Sequence, residues 1–472
     1  MAERGDPSHA GGVPQEPSAA ARTRLARGGR LARLSAAAGK GLLAARRAQR
    51  RGDTDGIGLS HDEIADVVLD TLGSMKGAAM KAGQLLSYLD LPMDEETAQR
   101  YHTRLAQLQD SASASDPDTI AAVLEAEYGA PADRVFAAWE PTPFAVASIG
   151  QVHRARLADG TNVAVKVQHP GIAESTLADL ANLELLVPLL RMLNPRLEPG
   201  PLLAEVRARL DDELDYQTEA RYHQAFAERY AGHPFVRVPR VHHDWCRPRV
   251  LVTDFVDGAA FGEVARTADA AERDRYGEII FRFVFGSLYR FRIFNTDPHP
   301  GNYLFPGDGT VVFIDFGSCK TFGTADRDRL HAVHRAVRED DATSLRVAMR
   351  EAGLLGERFG GDFDVVRRWF QLMHRPMRTS QPFTYTAAYA RDVTAASMDP
   401  EAGYVEALRQ LEMPAAYLML NRIQFGLTSL LARIEPTACW GDVLLELSED
   451  AAPATELGRA EAVFMAASPY RA

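Results

Sequence analysis

The sequence predicts an α+β fold in which short strands are confined to two regions and helices fill most of the rest. In the first region, two strand-like runs flank Asp159-Gly160, a dipeptide typical of a tight hairpin turn. In the second, an apolar run at 311–315 follows a loop rich in Pro and Gly. Helical patterns cover 276–294 and 326–337, and most of 341–435, so helices dominate the second half of the chain.

Composition and charge narrow the class of protein. The chain of 472 residues is long enough for two or three domain-sized units. Its net charge is −11, and residues 1–55 alone carry +6, which leaves −17 for the remainder. A body that acidic argues against general nucleic-acid binding. The chain has three cysteines and no Cys-x-x-Cys spacing, so we predict neither a disulfide framework nor a zinc site. This cysteine usage is typical of proteins in a reducing compartment.

The N-terminal 57 residues are predicted to be a disordered basic tail. From 22 to 51 there are ten basic residues and no acid, with leucines among them. One interpretation is a basic amphipathic segment that rests on an anionic membrane surface. A solvated tail is favoured slightly over it, because four glycines weaken any helix here. The chain contains no run of about eighteen apolar residues, so we predict no transmembrane helix and a cytoplasmic protein that is at most peripheral to the membrane.

A helical extension is predicted for 58–135. Ser60 and Glu63 have the spacing of a capping box, and an apolar stripe follows them. Lys81 and Gln84 are three residues apart and therefore share one helix face. The small residues around them would let this helix approach another surface closely, but this pattern alone indicates packing and no function.

A strand at 162–167 carries a candidate phosphate-binding lysine. Alternation puts three valines on one face of the strand and Lys166 on the other. A lysine at this place in a small sheet can hold the α- and β-phosphates of a nucleotide. A surface lysine on an edge strand is the alternative. The loop before the first strand is Ala145-Val146-Ala147-Ser148 in place of a Gly-x-Gly-x-x-Gly pattern, and its Cβ atoms restrict the approach of the backbone to phosphates.

Downstream acids are candidate partners for this lysine. Glu219 lies in a helical stretch predicted for 200–230 and is the chosen partner of Lys166. Glu213 and Asp215 precede it and fit an ordinary solvated acidic face equally well. The strand at 249–254 continues into Asp254-Phe255-Val256, where backbone groups of a hinge between two lobes would contact an adenine edge.

The stretch from 295 to 317 has the composition and spacing of a phosphoryl-transfer site. Asp297 and Asn302 stand five residues apart, and Asp315-Phe316-Gly317 follows the strand-like run. Asn302 and Asp315 offer the hard oxygen ligands that Mg²⁺ prefers, and Asp297 can orient a nucleophile and take its proton. A Pro/Gly loop with chance acids is the alternative, and the joint presence of both halves disfavours it.

These motifs together resemble the UbiB/AarF/ADCK atypical kinase-like family over about residues 60–435. The resemblance implies a two-lobed protein-kinase-like fold, with a small β-rich N-lobe at 136–257 and a large helical C-lobe at 258–435, then a tail at 436–472. It implies binding of ATP with Mg²⁺, ATPase or unorthodox kinase activity, and a link to isoprenoid-lipid or quinone metabolism. The helix with Lys81 and Gln84 would cover the active site and meet Glu213 and Asp215.

Two other functions stay open at this level. Aminoglycoside and choline kinases, which are small-molecule phosphotransferases, also resemble Asp297-x-His299-x-x-Asn302, although the Lys81 helix and the alanine loop disfavour them. The other is a nucleotide-binding regulator without transfer chemistry. The joint presence of Lys166, Asp297, Asn302 and Asp315 disfavours it. The short segment between Gly317 and the next predicted helix at 326, without Ala-Pro-Glu, argues against ordinary phosphorylation of proteins.

Overall fold

The computed structural model describes residues 114–147, 149–177, 207, 211, 213–357, 359–398, 402–408, 410–412 and 414–470. All of them belong to one compact unit, which spans 111–177 and 204–472. The predictions for the basic tail and for the extension before residue 114 lie outside the described residues. Within the described ranges, no helix is long and apolar enough to cross a membrane.

In the described part of the chain, short strands form four separate sheets. The strands are β1 (Ala138–Trp139), β2 (Ala145–Val146), β3 (Gly150–Arg156), β4 (Asn162–Gln168), β5 (Val236–Arg237), β6 (Val250–Asp254), β7 (Ala259–Ala260), β8 (Ile293–Asn295), β9 (Tyr303–Phe305), β10 (Val311–Phe313), β11 (Cys319–Thr321), β12 (Phe383–Thr384) and β13 (Thr437–Ala438).

Helices account for most of the second half of the chain. The helices are α1 (Pro117–Tyr128), α2 (Ala132–Val135), α3 (Tyr216–Arg229), α4 (Phe261–Thr267), α5 (Ala270–Gly286), α6 (Thr324–Glu339), α7 (Ala342–Glu351), α8 (Phe363–Met373), α9 (Ala387–Met398), α10 (Val405–Leu408), α11 (Ala415–Leu431), α12 (Trp440–Glu449) and α13 (Glu456–Ala467). The α+β class predicted from the sequence is therefore confirmed.

The smaller lobe contains an antiparallel five-stranded sheet in the order β1-β3-β4-β6, with β2 paired to β3. The hairpin between β3 and β4 forms as predicted. Gly160 has a φ of 91°, which favours glycine, and Thr161 N donates to Asp159 Oδ1 at 2.9 Å. Arg156 pairs with Asn162 across this turn, so the register of the sheet is set close to it.

Alternation along β4 separates a core face from a site face. Val163, Val165 and Val167 are fully buried in one cluster with α1. Lys166 points to the other face, opposite Leu251 of β6. Helix α1, which falls in the predicted extension, thus shares its core with the sheet of the smaller lobe.

Gly150, at the start of β3, lies where no side chain fits. A Cβ there would be 2.8 Å from the Tyr216 hydroxyl oxygen and closer still to the carbonyl oxygen of Val167. We expect Gly150→Ala to lower the free energy of unfolding by about 1–3 kcal/mol, because the sheet and α3 must separate locally. Chemical denaturation measures this loss.

Gly286→Ala is the matched control for that prediction. Its Cβ would meet Leu447 Cδ2 at 3.6 Å, an ordinary van der Waals contact at the end of a helix. We expect this variant to be as stable as the wild type or slightly more stable, since Ala loses less backbone entropy than Gly. Equal stabilities for the two variants would contradict the account of Gly150.

The larger lobe is built around α5 and a four-stranded sheet. The strand order is β5-β10-β9-β7, with β5 and β10 parallel and the other pairs antiparallel. Residues 276–286 of α5 are all buried, so the helix runs through the centre of the lobe. This agrees with the helical pattern predicted from residue 276 onwards.

The end of this central helix differs from the prediction. A continuous helix to residue 294 is wrong, because α5 ends at Gly286, one π-helical turn covers 287–291, and Arg292 has a φ of 55°. Strand β8 follows and pairs with β11. Strand β8 forms because its backbone pairs with a distant segment and because Phe294 packs on Phe322, with 4.6 Å between the ring centroids. These contacts outweigh the local helical pattern.

The C-terminal segment at 436–472, predicted as a tail, contributes α12 and α13 to the larger lobe. Trp440 and Val443 are fully buried, and Leu447 and Leu457 are nearly so. These residues join the same hydrophobic cluster as α5. The segment predicted as a tail is therefore a packed part of the core, in spite of its acidic, Ala-rich composition.

Arg282 lies at the centre of a buried ionic network that joins α5 to α12 and α13. Its guanidinium donates to Glu278 at 2.7 Å, to Glu446 at 2.6 Å and to Glu461 at 2.8 Å. Burial alone would raise the pKa of Glu461, but the neighbouring His233 and the guanidinium groups of Arg290 and Arg282 lower it to about 2. The Glu461 carboxylate is therefore held ionised by the charged groups around it.

Candidate active site

Lys166 is the centre of a charge cluster between the two lobes. Its Nζ donates to both carboxylate oxygens of Glu219, at 2.8 and 3.0 Å, and to Oδ2 of Asp315 at 3.3 Å. Burial alone would lower the pKa of Lys166, but the carboxylates of Asp315 and Glu219 raise it well above its usual value. Lys166 is therefore a cation at neutral pH, and the Lys166–Glu219 pair expected from the sequence is present.

Local sequence explains how α3 presents Glu219. Asp215 is the N-cap, and its carboxylate accepts hydrogen bonds from the backbone N–H groups of Gln217 and Thr218 at 3.0 and 3.2 Å. Glu219 then lies in the first helical turn, where the helix dipole favours a negative charge. Asp215 thus has a capping role, and Glu213 is buried just before the helix.

Phe316 holds Asp315 against α3. Its ring is fully buried and lies 4.6 Å from the ring of His223 and 4.7 Å from that of Phe226, both on α3. Burial lowers the pKa of His223 to about 4, so a neutral imidazole packs on Phe316 at neutral pH. Because Phe316 adjoins Asp315, this packing keeps Asp315 beside Lys166.

The loop from 295 to 302 is held by its own amide side chains. Asn295 accepts from the backbone N–H of Asp297 at 2.8 Å and donates to the carbonyl oxygen of Asp315 at 2.7 Å. Asn302 Nδ2 donates to the carbonyl oxygen of Asp297 at 2.9 Å. Asn295 therefore ties the Asp297 loop to the Asp315 loop, a role that the sequence reasoning missed, although Asn295 opens the motif.

Asn302 and Asp315 form a donor set that fits Mg²⁺. The Ile314 backbone N–H donates to the carbonyl oxygen of Asn302 at 3.1 Å, which places Asn302 next to Asp315. Both line a small cavity with Asp297. Since Asn302 Nδ2 is bound to the loop, its Oδ1 is the atom left for a cation. Two protein oxygens suit Mg²⁺, which takes its other ligands from phosphates and water.

Arg422 completes the site from α11 and was not predicted as a functional residue. Its guanidinium donates to Asp297 Oδ1 at 2.5 Å, and its side chain is only 9 % exposed. Lys166 and Arg422 supply two positive charges, and three carboxylates supply negative ones: Glu219, Asp297 and Asp315. A divalent cation would make the net charge of this set positive, which suits a negatively charged phosphate chain.

The alanine loop and the hinge border the sheet that carries Lys166. Ala145 and Val146 form β2, and Ala147 N donates to the carbonyl oxygen of Gly150 at 2.8 Å. Asp254 pairs with Val163 in the sheet, so its side chain lies on the face away from Lys166, and it binds His242 at 2.7 Å. A contact of Asp254 with adenine would therefore involve its backbone, as would contacts of Phe255 and Val256.

Three predicted site residues, Lys81, Gln84 and Ser148, lie outside the described residues. The expected contact of the Lys81 helix with Glu213 and Asp215 therefore stays a prediction. The described part of the chain contains no group of three or more His, Cys, Asp or Glu side chains arranged to hold a metal ion.

A β-rich small lobe, a helical large lobe and this charged cluster between them define a kinase-like protein. Comparison with protein families identifies which kind. The chain belongs to the ABC1 atypical kinase-like family, whose domain matches residues 107–349. This membership confirms the family resemblance and the two-lobed kinase-like fold expected from the sequence.

Known relatives are similar over part of their length. The rat protein "Atypical kinase COQ8B, mitochondrial" is 35% identical over 281 residues, which are 59% of this chain and 52% of the relative. The Saccharomyces cerevisiae protein "Atypical kinase COQ8, mitochondrial" is 29% identical, over 64% of each chain. The chain thus spans about half to two thirds of the length of these two relatives.

A solved structure covers more of the chain. The Mycobacterium tuberculosis protein Rv3197, solved in complex with erythromycin, is 29% identical and superposes with a TM-score of 0.60. The match covers 81% of this chain and 95% of that protein. The shared fold therefore extends beyond the 107–349 region that defines the family domain.

Proposed function

We propose that this protein is a Mg²⁺-dependent ATPase or atypical kinase that supports isoprenoid-lipid or quinone metabolism and does not phosphorylate proteins in trans. The observation that carries the proposal is the position of Lys166, 2.8 Å from Glu219 and 3.3 Å from Asp315. A lysine held between a helix glutamate and a metal-binding aspartate is the arrangement with which kinases bind the phosphates of ATP.

Each side chain has a separate task in this proposal. Lys166 binds the α- and β-phosphates, and Glu219 keeps the lysine extended towards them. Asn302 and Asp315 hold Mg²⁺, which neutralises charge on the phosphate chain. Asp297 orients the nucleophile and accepts its proton. The alanine loop and the hinge backbone at 254–256 border the nucleotide.

The segment after Asp315 supports an acceptor other than a protein. Only six residues separate Gly317 from α6, and three of them form β11 paired with β8. Such a short, paired segment leaves little backbone to form the platform on which protein kinases align a peptide. The proposed link to isoprenoid lipids rests on the family to which the chain belongs.

A second candidate is a small-molecule phosphotransferase. One observation favours it: the similar M. tuberculosis protein was solved with erythromycin, a macrolide. The same site residues would serve that reaction, with a hydroxyl group of the small molecule as the acceptor.

ATP turnover by the full chain tests both candidates. We expect ADP release that requires Mg²⁺ and is stimulated by anionic vesicles or by a quinone-like phenol. Lys166→Met should remove it, and Arg329→Met, which breaks an exposed surface pair with Asp326, is the control. Stimulation by erythromycin with a phosphorylated macrolide as product would favour the second candidate. Without Mg²⁺-dependent turnover in any arm, the proposal fails.

A further inference from the structure

Arg422 contacts the carboxylate that the proposed function uses as the proton acceptor. It donates to Asp297 Oδ1 at 2.5 Å from a helix 125 residues further along the chain. Among the residues that the structure describes, Arg422 is the one side chain that hydrogen-bonds this carboxylate. Bringing a guanidinium out of water costs free energy, and the ion pair with Asp297 offsets part of that cost.

The approach of α11 to the Asp297 loop is close and specific. Gly426, one turn beyond Arg422, packs on Pro298, and a Cβ at that position would lie 2.5 Å from the Pro298 Cγ atom. The absent side chain lets the helix reach the loop at the residue next to Asp297. Arg422 and Gly426 lie four residues apart and therefore share a helix face.

The other contacts of the loop act on its backbone. Asn295 binds the N–H group of Asp297, and Asn302 binds its carbonyl oxygen. Neither contact selects a rotamer for the Asp297 side chain. The hydrogen bond from Arg422 occupies Oδ1, so it sets the direction of the carboxylate and leaves Oδ2 for a second contact.

We infer that Arg422 is a positioning residue that aims the Asp297 carboxylate at the attacking nucleophile, an inference that rests on the proposed function. Arg422 acts through Asp297, so it contributes to the catalytic step and not to nucleotide binding. A misaligned catalytic group can lower the rate by about 100-fold even when binding is unchanged. Helix α11 is thereby part of the active site, although it lies beyond the 107–349 family domain.

Steady-state kinetics of four proteins test this inference: the wild type, Arg422→Met, Asp297→Asn and the double variant. We expect Arg422→Met to lower kcat by about 10- to 100-fold and to change KM for ATP less than twofold. In the Asp297→Asn background the same substitution should have no further effect, since there is no charged carboxylate left to aim. Arg422→Lys should recover part of kcat, because an ammonium group can still bind Oδ1.

A control and a binding measurement separate positioning from folding. Arg433→Met removes an arginine just after α11 that lies over the Phe261 ring at 5.4 Å, away from Asp297, and should keep the wild-type kcat. Thermal stabilisation by Mg²⁺ with ATP should persist in Arg422→Met. If the losses of kcat in the two single variants multiply in the double variant, the inference is overturned and the proposed function is not. The same holds if Arg422→Met raises KM for ATP and leaves kcat unchanged. Absence of turnover in the wild type would overturn the proposed function and the inference with it.

Discussion

Asp315→Asn is expected to abolish the thermal stabilisation that Mg²⁺ with ATP confers and to lower ATP turnover by about 10²–10³, the usual cost of removing one preorganised electrostatic group. The substitution keeps the shape of the side chain but removes the negative charge that faces Lys166 and would bind the proposed cation. A ligand at 100 times its Kd stabilises the folded state by about 2.7 kcal/mol, so the lost shift in melting temperature is readily measured. Differential scanning fluorimetry with and without Mg²⁺-ATP provides the measurement.

Asp364→Asn is the matched control for this result. Asp364 is exposed at the start of α8 and forms a surface pair with Arg367 at 3.4 Å, far from the charge cluster in sequence. We expect its Mg²⁺-ATP shift and turnover to equal those of the wild type, because exposed pairs contribute only about 0–1 kcal/mol. A wild-type shift in Asp315→Asn would show that Asp315 does not hold the cation.

Arg282→Met should produce the largest loss of stability, about 3–5 kcal/mol, because it leaves three buried carboxylates without their shared cation. Glu278, Glu446 and Glu461 surround the guanidinium, whose side chain is fully buried. A loss of this size is a large part of the total stability of a typical domain, which is about 5–15 kcal/mol. Urea denaturation followed by tryptophan fluorescence reports it, since Trp440 lies in the same core.

Arg329→Met is the control for the buried network. Its pair with Asp326 is exposed on both sides, and such a pair contributes about 0–1 kcal/mol. If Arg282→Met and Arg329→Met lower the free energy of unfolding by similar amounts, the buried network stabilises the fold no more than a surface pair does. Retained ATP turnover in folded Arg282→Met would place the effect in folding and not in the active site.

Much of the site could be predicted because its residues belong to local motifs. Asp297 and Asn302 lie on one loop, and Asp315 follows a short strand, so their spacing alone predicts a phosphoryl-transfer site. Lys166 was predicted from the alternation of β4. Glu219 was chosen as the helix glutamate that a kinase-like site needs beside its lysine, although five acids between 211 and 219 offered similar local patterns.

Contacts across long sequence separations were not predicted. Arg422 and Asp297 are 125 residues apart, and Arg282 binds Glu446 and Glu461 from more than 160 residues away. Strand β8 was predicted as helix because its pairing partner, β11, cannot be recognised from the residues of β8 themselves. In each case the energy that decides the structure comes from a partner which the local pattern does not contain.

The sequence by itself determined the family, the α+β class and the residue types of the proposed Mg²⁺-nucleotide site, because periodicity and motif spacing are properties of adjacent residues. Only the tertiary structure decided that α11 supplies Arg422 to Asp297, that the C-terminal helices belong to the core, and that Asp254 turns its side chain away from Lys166. The physical reason is that buried ion pairs and strand pairing gain their free energy from groups brought together by folding, and those groups leave no periodic signal along the chain.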